Sequence, residues 1–190
     1  MHRAIDINNL LLCVVFAALG IVVPILFHLF GLGSTFLPMF LPLAVGAFFL
    51  SIENAVILGL ITPIVSGLLT GMPPFHPPIA FTMAAELLVF CFLISLLCHK
   101  TKLPVAVIVI IAFIGERCVQ IALYYLIMPY FGVSPQAFTI YSIVKIIPGI
   151  ILIFVITPIL VITARKVLSK YALHLFEHKH EEDEDEAKTI

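Results

Sequence analysis

The stretch NLLLCVVFAALGIVVPILFHLF runs from Asn9 to Phe30, and His28 is the one ionisable side chain within it apart from the Cys13 thiol. An α-helix rises about 1.5 Å per residue, so a run of this length matches the roughly 30 Å hydrocarbon core of a bilayer. No small-residue cleavage site follows it, so it reads as a retained first membrane helix rather than a signal peptide. The remainder of the chain has the same character. Of 190 residues, 62% are hydrophobic and 11% are Asp, Glu, Lys or Arg, with a mean hydropathy of +1.21. Soluble domains carry about a quarter charged residues, and a soluble domain this small cannot hide so much apolar surface. The composition therefore argues against a water-soluble enzyme, a nucleic-acid binder and a disordered chain.

Polar residues and Pro/Gly pairs divide the chain into six predicted helices, over residues 9–30, 36–50, 54–70, 79–98, 104–128 and 138–168. The expected fold is all-α: a polytopic membrane protein with six transmembrane helices. The second helix is short and carries Pro38 and Pro42 near its start, which predicts a kinked or incomplete span. Arg3, Lys100, Lys102, Arg165, Lys166, Lys170, Lys179 and Lys188 fall on one side of a six-helix arrangement, and the opposite loops, 31–35, 71–78 and 129–136, contain no Lys or Arg. By the positive-inside rule both termini are expected in the cytoplasm, with the chain in the cell membrane. Residues 1–176 form the predicted membrane domain. Residues 177–190, with six consecutive acids from Glu181 to Glu186, are expected to be a disordered cytoplasmic tail.

Four charged residues fall inside the predicted spans: Glu86, Glu116, Arg117 and Lys145. Each costs roughly 2.5–3.5 kcal/mol at the bilayer centre on insertion scales, so they are expected to face a protein interior or a wet cavity and to be paired. Helical rise places Glu86 and Lys145 about 10 Å below the end of their helices that lies opposite the basic loops. Stripes recur around them at helical spacing: Thr82 with Glu86 and Phe90; Glu116 with Gln120 and Tyr124; Tyr141 with Lys145 and Gly149; Thr62 with Ser66 and Thr70. Residues four apart share a helix face. Adjacent Glu116 and Arg117 point about 100° apart, so each is expected to find a partner on another helix, with Glu86 and Lys145 as candidates. Two readings follow. One is an ion-pair network locking the helices together. The other is a pocket for a small hydrophilic, partly anionic molecule, in which Arg117 offers a planar two-oxygen fork and the glutamates accept from donors.

The loop Gly71-Met72-Pro73-Pro74-Phe75-His76-Pro77-Pro78 is stiffened by its prolines and is expected to hold Phe75 and His76 over such a pocket, or simply to stop two helices. The first helix carries small residues, Cys13, Ala17, Ala18 and Gly20, which let helices approach closely in lipid, against this chain or another subunit. The four cysteines lie in apolar segments without a Cys-x-x-Cys pair, and the histidines show no ligand spacing, so no metal and no cofactor is expected. No nucleophile–base pair stands out either, and catalysis is not expected.

The stretches Phe36-Leu37-Pro38-Met39, Leu60-Ile61-Thr62-Pro63, Thr70-Gly71-Met72-Pro73-Pro74, Met83-Ala84-Ala85-Glu86-Leu87, Gly115-Glu116-Arg117 and Ile147-Pro148-Gly149-Ile150, together with a small-residue first helix and the later Thr157-Pro158, resemble the substrate-binding S components of energy-coupling factor transporters. The resemblance is nearest to the branch that takes pantothenate and hydroxymethylpyrimidine. It implies a six-helix subunit that captures a vitamin-like molecule from outside, works with a transmembrane coupling subunit and two ATPase subunits, and touches membrane lipid but no nucleic acid. In keeping with this, the chain has no phosphate-binding Gly-x-x-x-x-Gly-Lys-Ser/Thr loop. The expected binding residues are Thr62, Ser66, Phe75, His76, Glu86, Glu116, Arg117, Gln120, Tyr124 and Lys145, and the expected docking residues are Cys13, Ala17, Ala18 and Gly20. Two alternatives are an intramembrane enzyme using Glu86 or Glu116 as acid and base, and a stand-alone secondary transporter.

Overall fold

Long unbroken runs of Leu, Ile, Val and Phe have no alternation that a half-buried strand would need, and they fold as helices. The computed structural model describes residues 7–76, 78–132 and 140–189, and among these there is no strand. Arg3, Pro77 and Phe138, the predicted start of the last helix, lie outside the described residues. The elements are α1 (Ile7–Leu29), α2 (Gly33–Phe36), α3 (Phe40–Ala47), α4 (Ile52–Thr70), α5 (Ile79–Lys100), α6 (Val105–Leu126), a 3₁₀ turn (Met128–Phe131) and α7 (Ile140–Thr189). Five stretches are long and apolar enough to cross a membrane: α1, α4, α5, α6 and residues Lys145–Lys170 of α7. The chain is a membrane-embedded, multi-pass protein.

The predicted second helix, 36–50, is broken and incomplete, as its prolines predict: α3 is its helical part, and Leu37, Pro38 and Met39 separate it from α2, which ends at Phe36. Pro38 cannot donate a backbone hydrogen bond, and Leu37 takes a left-handed conformation (φ 48°), unusual for a residue with a bulky side chain. The segment nevertheless runs antiparallel to the whole of α1. Gly33 lies under the His28 ring, Leu43 against Gly20, and Gly46 against Phe16. At the far end the Ser51 N–H donates to Asn9 Oδ1 at 3.1 Å. It is also well covered, with Phe40, Leu43, Ala44, Ala47 and Leu50 at most 1% exposed. A broken helix at this depth is tolerated because protein surrounds it.

The other elements enclose that segment. The Ser51 hydroxyl accepts the Asn54 N–H and caps α4, and Gly71, at φ 74°, ends it. Gly59 lets α4 pack directly on the Leu87 backbone of α5, and Gly149 lets α7 pack on the backbone of Thr35 and Phe36. The Ser95 hydroxyl of α5 donates to Leu50 O at 2.9 Å. At the same end Arg165 of α7 donates to Cys98 Sγ and lies over the Phe48 ring. Lys100, Lys102 and Arg165 thus share one end of the bundle, the basic end, and the loop 71–78 lies at the other. Outward faces are apolar: Leu11, Val14, Val22 and Leu26 of α1 are all at least half exposed, as a lipid-facing helix requires. Where an unstructured tail is expected from residue 177, the backbone of α7 continues as helix to Thr189; Glu, Lys and Ala are good helix formers.

Candidate functional site

Glu86 on α5 and Glu116, Arg117 and Gln120 on α6 meet in the interior. Arg117 donates from Nε to Glu116 Oε2 and from Nη2 to Glu116 Oε1, both at 2.6 Å. Its third contact is Nη1 to Gln120 Oε1. Gln120 in turn donates from Nε2 to Glu86 Oε2 at 3.2 Å. The Glu86 carboxyl lies within hydrogen-bonding reach of that of Glu116, closing a ring of four side chains across the two helices. The amide of Gln120 is oriented by this arrangement, its oxygen toward the guanidinium and its nitrogen toward the carboxyl. Tyr124, one turn farther along α6, is half-buried and within electrostatic range of Glu86 and Arg117.

The expectation that neighbours Glu116 and Arg117 would seek partners on other helices is corrected here. Three methylenes give the Arg117 side chain the reach to fold back, so that its Nε–Nη2 edge grips both oxygens of the preceding residue. Burial separates the members. Glu116 is fully covered and Glu86 is 4% exposed, while 20% of the Arg117 side chain remains open. Beneath the ring lies a buried aromatic cluster, of which the sequence pattern pointed only to Phe90. The Arg117 guanidinium sits 4.7 Å from the centre of Phe113, and Phe113 contacts Phe40, Phe90 and Phe154 edge-on or tilted, at 5.5–6.4 Å. The i−4 spacing of Phe113 to Arg117 was the available signal for the rest.

Lys145 does not join the ring. It is exposed on α7, and the charged neighbours of Glu86 are Glu116 and Arg117. The side chain of Tyr141 lies outside the described residues.

A cavity of about 650 Å³ opens near the loop 71–78 end. Pro24 and His28 of α1, the break at Leu37–Met39, Ser66 and Thr70 of α4, the start of the loop, and Met83 of α5 are among its walls. Met83 is one turn from Glu86, and Phe40, next to the lining residue Met39, contacts Phe90 at 5.4 Å. None of the four ring residues lines the cavity, whose α5 wall is Ile79 and Met83.

The expected α4 stripe is divided. The Thr62 hydroxyl donates to Leu58 O, that of Ser66 to Met72 O and that of Thr70 to Ser66 O. These hydroxyls brace α4 and tie down the loop. Phe75 packs on Gly67 and on the Phe81 ring, and His76 is exposed in the loop. Of the expected docking residues, Cys13 donates to Asn54 O and Gly20 packs on Leu43 and Thr62, both inside the bundle; Ala17 is half-buried and Ala18 faces outward. The four cysteines are free thiols. Among the described residues no three His, Cys, Asp or Glu side chains are grouped to hold a metal ion.

The chain matches no protein-family model, no characterised protein and no solved structure at a significant level.

Proposed function

We propose that this chain is a membrane-embedded substrate-binding subunit, of the S-component type suggested by its motifs, which takes a small water-soluble molecule from the outer side of the membrane. The single observation that carries the reading is the ring of Glu86, Glu116, Arg117 and Gln120, placed between two spans, with an open cavity that extends along α5 as far as Met83, one turn from Glu86. Ionisable groups at such depth are rare and mark ligand or ion pathways. In this reading the segment from Gly33 to Leu50 is a sixth crossing. It covers α1 from His28 to Asn9, about 28 Å at helical rise, the thickness of the hydrocarbon core. Six crossings return both termini to the basic side, which the positive-inside rule assigns to the cytoplasm. The cavity then opens outward, under the Pro-rich loop.

Energy for uptake would come from a coupling subunit and two ATPase subunits, since this chain carries no phosphate loop. Native mass spectrometry of the chain purified in nanodiscs tests the reading. One small-molecule adduct per chain is expected, and Glu86→Ala should lose it while still inserting. A chain without an adduct, or an adduct that survives Glu86→Ala, contradicts it.

A further inference from the structure

Resting on that reading, the walls of the cavity point to the class of molecule it takes. Its volume of about 650 Å³ is that of a small-molecule pocket, and such pockets are mostly apolar with a few placed polar groups. The walls are proline, isoleucine, leucine and glycine with the thioether chains of Met39, Met72 and Met83, which adapt to irregular apolar shapes. The polar side chains among them are His28, Ser66 and Thr70. No Asp, Glu, Lys or Arg is among the described lining residues, and the stretches 31–39 and 71–78 that frame the space contain none. Glu86 lies one turn beyond Met83 and is covered. A charged molecule entering here would leave water without meeting an opposite charge, which is strongly unfavourable.

The two hydroxyls are already committed. That of Ser66 donates to Met72 O and that of Thr70 to Ser66 O, while Thr70 Oγ1 accepts the Met72 N–H. His28 differs. Its ring lies against Gly33, where a Cβ would collide with it, so the glycine keeps a place for the imidazole at the cavity wall. Among the described residues no group hydrogen-bonds to either of its ring nitrogens. A neutral imidazole offers one donor and one acceptor, and a hydroxyl can meet either.

We infer that the cavity takes a small uncharged molecule with an apolar body and one hydrogen-bonding group, and that His28 is the side chain which meets that group. This replaces the partly anionic ligand expected from the arginine alone. The Arg117 fork is held by Glu116 and Gln120, and Arg117 does not line the cavity.

A charge series on one apolar body tests this with the whole chain in nanodiscs. Cyclohexanol, cyclohexanecarboxylate and cyclohexylammonium differ in the polar group and little else. The methyl signals of isotope-labelled Met39, Met72 and Met83, assigned by single Met→Leu exchanges, report occupancy of the cavity itself, apart from probe dissolved in the bilayer. At about pH 8, where free imidazole is neutral, cyclohexanol is expected to shift these signals saturably. It is expected to bind at least about tenfold more tightly than either charged probe. His28→Phe keeps a ring on Gly33 and removes the hydrogen bond, and is expected to weaken cyclohexanol by about threefold or more. A charged probe binding as tightly as cyclohexanol overturns the inference. So does a series in which no probe shifts the signals saturably, or a cyclohexanol affinity unchanged in His28→Phe. The substrate-binding reading stands or falls separately, on the adduct seen by native mass spectrometry and its loss in Glu86→Ala. The probe comparison is made on the parent chain, so it does not depend on the folding of His28→Phe.

Discussion

Glu116 and Arg117 show how much one residue step can conceal. Side by side in sequence, they form a bidentate ion pair. Removing one partner of a buried pair leaves an uncompensated charge, at a cost of about 3–5 kcal/mol. Glu116→Gln should therefore lower stability by that order in detergent unfolding titrations. Adding Arg117→Gln should restore more than half of the loss, since the double variant leaves no unpaired guanidinium. A Glu116→Gln chain as stable as its parent would contradict this account of the ring. The sequence showed that these residues lie within a span and share it with Gln120. It did not show the fold-back of Arg117, because helical angles describe where Cβ points and a long side chain can turn from there. Nor did it show that Lys145 stands apart, which depends on how α7 is rotated against its neighbours.

At the scale of elements, the legible ones are those whose apolar run is long and clearly punctuated. Predicted helices over 9–30, 54–70, 79–98 and 104–128 match α1, α4, α5 and α6 to within two residues at each end. The 36–50 segment resisted because its prolines and the tight Leu37 turn divide one hydrophobic run into pieces, whose place is set by the helices around them. Close helix contact carries a test. A Cβ at Gly59 would run into the Leu87 carbonyl, backbone that cannot swing aside. Gly59→Ala should push α4 and α5 apart and destabilise the chain by about 1–3 kcal/mol, read as a lower melting temperature in nanodiscs. The same change at Gly71, where no atom lies near the added Cβ, is strained only through its positive φ and should cost about 1–2 kcal/mol without moving the helices. An unchanged melting temperature for Gly59→Ala would mean that the α4–α5 interface is not packed as described.

For the whole molecule, the two ends differ in kind. One gathers Lys100, Lys102 and Arg165; the other carries the Pro-rich loop and the cavity. The placement of basic residues along the chain already implied this polarity. What it left open is whether the buried ring reaches water, since a structural ion-pair network and a ligand site need the same residue types. Arg117 is partly open while Glu86 and Glu116 are covered, so the ring presents an edge rather than a bare surface. The most direct measurement is thiol labelling of Glu86→Cys, with Cys13, Cys91, Cys98 and Cys118 replaced by Ala, using a small membrane-impermeant cationic methanethiosulfonate reagent on oriented vesicles. The account predicts modification from the side of the 71–78 loop and none from the basic side. A folded variant whose single introduced thiol stays unmodified from both sides would show a sealed ring that only joins helices, and would contradict it.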